Sequence, residues 1–276
     1  MPRLRFLPIA LLVLVGCEGA SSAPRSAKPI DEGPVAEALP PIVATKPEKS
    51  DPAAALAVNA ILLAHTENEP TRLEKLRKVR ILRKGDWKLP DGGRSDATME
   101  IAIWGDQYRT TFAIAATGNV PETFSLNGAQ GWRFQSKLAA KPIPLDIAAL
   151  EAILPEVNGD RMTLLTPLTS DKLVATIVRD GTDGGEKILR IWIGDNPPML
   201  LHADAKTNRL QRLTYEMMEN GQTVARVLRL SELTPVAGVL LPGRVEYGVG
   251  PLTFTTWNKI EYQVPGQFEL SFFDKP

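Results

Sequence analysis

The sequence predicts an α+β domain that is mostly β: a strongly curved antiparallel sheet of roughly nine to eleven strands with about three helices on its concave face. Three observations carry this. Apolar residues recur at every second position through much of the chain after residue 98. Short Asn-Gly and Asp-Gly turns separate these runs, and short connections force antiparallel pairing. Helical spacing of apolar residues is confined to a few places. A sheet of that size curls, and the helices are available to fill its hollow.

The chain begins with a short positive stretch, Arg3 and Arg5, followed by the apolar run Phe6 to Val15, broken only by Pro8. A membrane-spanning helix needs about 20 apolar residues, so this run fits a secretory signal. It ends in Leu14-Val15-Gly16-Cys17. That order of charge, apolar run, small residue and cysteine resembles the lipobox of bacterial lipoprotein signal peptides. The resemblance implies a signal peptide of residues 1–16, lipidation of Cys17 and a mature chain that starts there. The alternative is an ordinary signal peptide with an accidental cysteine. Cys17 is the single cysteine of the chain, so no disulfide accounts for it. Stable anchoring takes two lipid signals, which a diacylated cysteine would supply. Glu18, not aspartate, follows, so the resemblance favours the outer membrane over the inner, with the domain facing the periplasm.

Residues 17–52 hold Pro24, Pro29, Pro34, Pro40, Pro41, Pro47 and Pro52 among alanine, serine, lysine and glutamate. Such a stretch stays extended and buries too little to fold, so it reads as a tether. Residues 53–276 then form a single domain, long enough for a sizeable core. Its first helix is expected over Ala53 to His65, with Leu56, Ala60 and Leu63 on one face. Pro70-Thr71 opens a second, Arg72 to about Lys78, carrying Leu73 and Leu76. A third is expected over Leu145 to Leu154, opened by Pro144 and stopped by Pro155, with Ile147, Leu150 and Leu154 as its apolar face.

The strands follow from period-two alternation. Met99, Ile101 and Ile103 share one face; so do Tyr108, Thr110, Phe112 and Ile114. Leu189, Ile191 and Ile193 form a third set, and Leu213, Tyr215 and Met217 a fourth. Phe254, Ile260 and Tyr262 share a parity near the end. Turns are expected at Asp91-Gly92-Gly93, Asn127-Gly128, Asp183-Gly184-Gly185 and Asn220-Gly221, where Asn, Asp and Gly tolerate positive φ.

Composition limits the function. With 32 basic and 32 acidic residues the chain lacks the surplus of a general nucleic-acid binder. At 43% hydrophobic it is too apolar to be disordered throughout. Two histidines, His65 and His202, and no cysteine after Cys17 rule out a Cys/His zinc site. His202-Ala203-Asp204 offers two ligands on one strand face, but reads better as a strand running into an Asp-rich turn. No serine sits in a Gly-x-Ser-x-Gly elbow. Residues 180–185 lack EF-hand spacing, and no phosphate loop appears. No enzyme, metal or cofactor is expected. Lys75, Arg77, Lys78, Arg80, Arg83 and Lys84 form a basic cluster that reads as a solvated face, or as a contact for anionic lipid. Trp104 and Trp192 lie opposite the isoleucine faces, closing a second apolar layer or standing at a rim.

The last third carries a resemblance. His202-Ala203-Asp204-Ala205-Lys206-Thr207-Asn208-Arg209-Leu210 reads as strand, turn, strand, and Leu213-Thr214-Tyr215, Glu219-Asn220-Gly221 and Ser231-Glu232-Leu233 continue it. Val236-Ala237-Gly238-Val239-Leu240-Leu241-Pro242, Lys259-Ile260-Glu261-Tyr262 and the tail Phe272-Phe273-Asp274-Lys275-Pro276 complete the order. Leu73…Leu76…Val79 and Asn127-Gly128…Gly131-Trp132 fit as well. Together these resemble the LolA/LolB-like lipoprotein-carrier superfamily and its outer-membrane lipoprotein-sorting relatives. The resemblance implies a half-open β-barrel, helices as a lid, and an apolar cavity for an acyl chain or a lipoprotein. Two departures matter. Carriers of this kind are soluble, whereas this chain reads as tethered, and the membrane-inserting loop of the anchored acceptor has no counterpart. The fold therefore transfers more readily than the function. The residues expected to line the cavity are Met99, Ile101, Ile103, Phe112, Ile114, Ile191, Ile193 and Phe254. The alternative is a structural or scaffolding domain with a closed core that binds a protein partner through an edge strand.

Overall fold

The computed structural model describes residues 40–274 except 90, 138, 183–184 and 220. The lipobox, Cys17 and most of the expected tether lie outside the described residues. Thirteen strands make one antiparallel sheet: β1 (Lys78–Lys88), β2 (Arg94–Trp104), β3 (Gln107–Ile114), β4 (Glu122–Asn127), β5 (Gln130–Gln135), β6 (Ile143–Pro144), β7 (Leu173–Arg179), β8 (Glu186–Ile193), β9 (Met199–Asp204), β10 (Leu210–Glu219), β11 (Gln222–Val236), β12 (Val239–Val249) and β13 (Leu252–Gln263). Their order is β6-β5-β4-β3-β2-β1-β13-β12-β11-β10-β9-β8-β7. Every neighbouring pair but β1 and β13 is consecutive in sequence, so the sheet is two meanders joined along that one ladder. β6 and β7 are left as edges, and the curved sheet is open. The strand count exceeds the expectation because β4 is buried on both faces and shows no alternation, and β6 has only two residues.

Turns join neighbouring strands at Asp91-Gly92-Gly93, Asn127-Gly128 and Gly221, as expected; Asp183-Gly184 and Asn220 lie outside the described residues. Gly128 (φ +61°) and Gly221 (φ +76°) adopt the left-handed conformation that glycine tolerates without strain. Alternation on β2, β3 and β10 held as well: Met99, Ile101 and Ile103, then Tyr108, Thr110, Phe112 and Ile114, then Leu213, Tyr215 and Met217 are all buried on the face that carries the helices, here the inner face. On β13 the parity breaks. Gly248 pairs with Thr253 but Tyr247 with Thr255, and Gly85 pairs with Trp257 but Lys84 with Lys259. Each bulge shifts the strand by one residue and turns its side chains over. Trp257 therefore joins the core, while Phe254 stands half-buried at a bulge with the Arg226 guanidinium 5.7 Å from its ring.

Two α-helices cover the inner face. α1 (Pro52–Thr66) starts where the Asp51 carboxylate accepts a hydrogen bond from the Ala53 amide at 2.9 Å. Its buried stripe is Ala54, Ala57, Val58, Ile61, Leu62 and His65. The expected stripe is rotated: Leu56 is 72% exposed. This helix is apolar nearly all round, so period alone could not orient it; the small Ala54 and Ala57 let its axis approach the sheet. The second expected helix is a 3-10 helix, Pro70–Arg77, burying Leu73 and Leu76. α2 (Ile147–Met162) is capped by Asp146, which accepts from the Ala149 amide at 2.8 Å.

Pro155 does not end α2; the helix runs through it. Proline removes one helical hydrogen bond and crowds the preceding turn. Burial of Val157, Gly159, Asp160 and Met162 in the next two turns offsets that cost. Ile147, expected to be buried, is 74% exposed. Gly159 lies against β10, where an added Cβ would stand 2.7 Å from Cε1 of Tyr215. Gly159→Ala is therefore expected to destabilise the fold by about 1–3 kcal/mol, measured as a lower urea midpoint with an unchanged slope.

The outer face is covered by the two ends of the described chain. Ile42 packs on Ile188 and Leu200, and Arg190 donates to the carbonyl of Ile42 at 3.0 Å. The Asp51 amide donates to the Ala175 carbonyl at 3.0 Å, on the free edge of β7. The last part of the expected tether thus lies on the sheet. At the other end Phe273 is buried, Arg109 donates to the Phe272 carbonyl at 2.7 Å, and Ser125 donates to the Phe273 carbonyl. Trp192 is buried in this second layer. Trp104 is half-buried, with Phe268 6.4 Å away and the Lys78 ammonium 4.0 Å from its ring.

Candidate ligand site under the second helix

The sheet and α2 meet across a small cavity lined by Met99 of β2, Tyr108 and Thr110 of β3, Phe124 and Leu126 of β4, and Ile153, Glu156 and Val157 of α2. Strand pairing builds its floor: Tyr108 faces Leu126, Thr110 faces Phe124, and Met99 faces Phe112. Its volume is about 10 Å³, room for about one water. An acyl chain enters only if α2 moves.

Beside it stands a group of polar side chains sealed from solvent. Arg83 of β1 and Asp160 of α2 form an ion pair at 2.8 Å with both side chains 0% exposed. Tyr108 donates to Oδ2 of Asp160 at 2.8 Å, Tyr247 of β12 donates to Oδ1, and Nη1 of Arg83 also reaches the Tyr247 oxygen at 2.8 Å. Burial, reinforced by the adjacent Asp160 charge, pushes the Tyr108 and Tyr247 phenols well above their ordinary range, so both remain donors. Nε and Nη2 of Arg83 are buried without a hydrogen-bond partner. Three strands thus hold the second half of α2 through one carboxylate.

Seven of the eight residues expected to line a cavity lie on the inner face. Met99, Ile101, Ile103, Phe112 and Ile114 are brought together by the β2–β3 ladder. Ile191 and Ile193 are on β8, with six strands between them and β2. Phe254 lies apart, at its bulge. Of the eight, only Met99 lines the small cavity. The Arg83–Asp160 pair was missed, although β1 carried a signal for it. Val79, Ile81 and Arg83 are successive alternate positions, so a register that buries the first two buries the third. The rest of the basic cluster is largely solvated: Lys75, Arg77 and Lys84 are exposed, and Arg80 pairs with Glu100 at 2.8 Å.

Both histidines are buried within the fold. His65 Nδ1 lies 2.7 Å from the Leu240 carbonyl, and Nε2 accepts from the Leu210 amide at 2.9 Å. Nδ1 must therefore carry the proton, and the neutral ring bridges α1 to β10 and β12. His202 Nδ1 stands 2.8 Å from Nη2 of Arg212 and 3.2 Å from Oε2 of Glu186, and its Nε2 lies 3.3 Å from Thr214 Oγ1. Asp204 caps its own turn, accepting from the Lys206 and Thr207 amides at 3.1 and 2.7 Å.

No protein-family model and no curated protein matches the chain. Among solved structures it is similar to a LolA superfamily protein from Nitrosomonas europaea, at 14% identity and a TM-score of 0.48, over 76% of this chain and 98% of that one. It is also similar to a putative outer membrane lipoprotein-sorting protein domain from Vibrio parahaemolyticus, at 10% identity and a TM-score of 0.44, over 73% of this chain and 95% of that one. A third likeness is to a DUF1329 family protein from Desulfovibrio piger, at 8% identity and a TM-score of 0.49, over 80% and 97%. At such identities a likeness concerns the fold and assigns no ligand.

Proposed function

We propose that this chain is a non-enzymatic protein of the cell envelope, anchored through lipidated Cys17 and facing the periplasm. It holds an acyl chain, free or on a lipoprotein, between the inner face of its sheet and α2. The outer membrane is its proposed address. One observation carries the binding mode: α2 is a helix of two unequal halves. After Pro155 it is clamped by Asp160. Before Pro155 it rests on Leu150, Ile153 and Leu154, of which only Ile153 is fully buried. The missing hydrogen bond at Pro155 makes that position the hinge. Lifting the first half exposes three side chains, two of them half-buried already, at about 1.5–3 kcal/mol for each full burial lost. An acyl chain of about ten methylenes gains about 8 kcal/mol at 0.8 kcal/mol each, enough to open the lid.

A second reading, a scaffold with a closed core, is favoured by the close packing under α2. One experiment separates the two. The full chain is purified, mixed with a pyrene-labelled fatty acid, and examined by native mass spectrometry and organic extraction. The expected result is about one acyl chain per protein in the wild type. The variant Leu126→Trp, which fills the space under α2, is expected to lose it while still melting cooperatively. No acyl uptake by the folded wild type overturns the binding reading and leaves the scaffold.

A further inference from the structure

A groove of about 600 Å³ opens at the C-terminal end of α2, between the 3-10 helix at residues 70–77, the β2–β3 turn, the 166–171 segment and the β8–β9 turn. That is the size of a small-molecule site. Asn158 and Arg161, three residues apart on α2, share one helix face and both line it. Asn158 is 8% exposed, and its side chain makes no hydrogen bond among the described residues. Nη2 of Arg161 donates to the Asp106 backbone carbonyl, and Nε has no partner. An amide and a guanidinium that line one groove can together hold an oxyanion.

The opposite charges narrow the ligand further. Arg77 and Glu74 neutralise each other as an exposed ion pair. The exposed carboxylates Asp106 and Asp171 remain at the groove against the single guanidinium of Arg161. A bare phosphate would face two carboxylates; a bare cation would leave Asn158 and Nε of Arg161 unmet. We infer that the groove binds a small zwitterion, an oxyanion with an attached ammonium group, as in phosphoethanolamine. The oxyanion sits on Arg161 and Asn158, and the ammonium on Asp106 and Asp171. The groove is lined separately from the cavity under α2, so Leu126→Trp is expected to leave this binding intact.

The test is isothermal titration of the full chain with glycerophosphoethanolamine, sn-glycerol 3-phosphate and ethanolamine. Saturable binding of the zwitterion alone is expected, at least tenfold weaker in Arg161→Gln. Because Arg161 also holds the β2–β3 turn, the exposed pair Asp106→Asn/Asp171→Asn serves as a second variant. It is expected to weaken the zwitterion at least tenfold and to narrow its advantage over glycerol phosphate. Equal binding of glycerol phosphate and the zwitterion by the wild type, or no heat from any probe, overturns the proposal. Vesicle flotation of the chain carrying Cys17→Ser identifies the source. Flotation with phosphatidylethanolamine but not phosphatidylglycerol makes the ligand a lipid headgroup; titration without flotation makes it a free phosphodiester or phosphomonoester.

Discussion

Asp160→Ala is expected to lower the unfolding free energy by about 3–5 kcal/mol, the cost of stranding a buried charge. Asp160 receives Arg83, Tyr108 and Tyr247 in a region with no exposed atoms on either charged side chain. Removing it leaves a guanidinium that already has two unpartnered nitrogens with only neutral contacts, to the Tyr247 oxygen and the Met99 sulfur. The loss falls on the attachment of α2, so urea unfolding followed by circular dichroism should show a lower midpoint. Replacing both partners by apolar residues, Arg83→Met with Asp160→Leu, is expected to recover most of the loss, because two charges no longer need to be kept from water. A single-variant cost under about 1 kcal/mol would mean that apolar packing alone holds α2, since a buried pair cannot be removed so cheaply.

Acid is expected to loosen α1 before it protonates the carboxylates. His65 must be neutral to accept the Leu210 amide at Nε2 while donating from Nδ1 to Leu240. Burial lowers its pKa below the ordinary value, Arg209 lowers it further, and the bond to Leu240 opposes both only in part. His202 is lowered in the same direction, first by burial and then by Arg212, against Glu186. A lowered folded pKa means that the unfolded chain binds more protons between the two values. The contribution is therefore whole above the unfolded value of about 6.5 and is lost as pH falls below it toward the folded value. Glu186, whose own pKa is lowered through His202 and Arg212, loses its contribution at lower pH. The expected result is a urea midpoint that falls between pH 7 and pH 5. His65→Ala should flatten that slope and cost about 2–5 kcal/mol at pH 8, leaving one buried donor and one buried acceptor unsatisfied at about 1–3 kcal/mol each, beside a small cavity. An unaltered slope in His65→Ala would assign the acid response elsewhere.

The contrast between β2 and α1 explains what could be read beforehand. On β2, apolar and polar positions alternate, so burying one face of Met99, Ile101 and Ile103 settles the register. On α1 the apolar residues surround the helix, and the face toward the sheet was chosen by close approach at Ala54 and Ala57. The two bulges on β13 arise from pairing with β1 and β12, which is why Phe254 left the face that its parity assigned.

The residues alone were enough for the class of fold, the hairpins and most of the inner face, because alternation and positive-φ turns act between near neighbours in the chain. The order of the two meanders, the passage of α2 through Pro155, the Arg83–Asp160 clamp and the groove at Asn158 and Arg161 were decided only in three dimensions. Each joins residues far apart in sequence, and its free energy comes from burial and from charge pairing in a space that exists only once the sheet has curved around the helices.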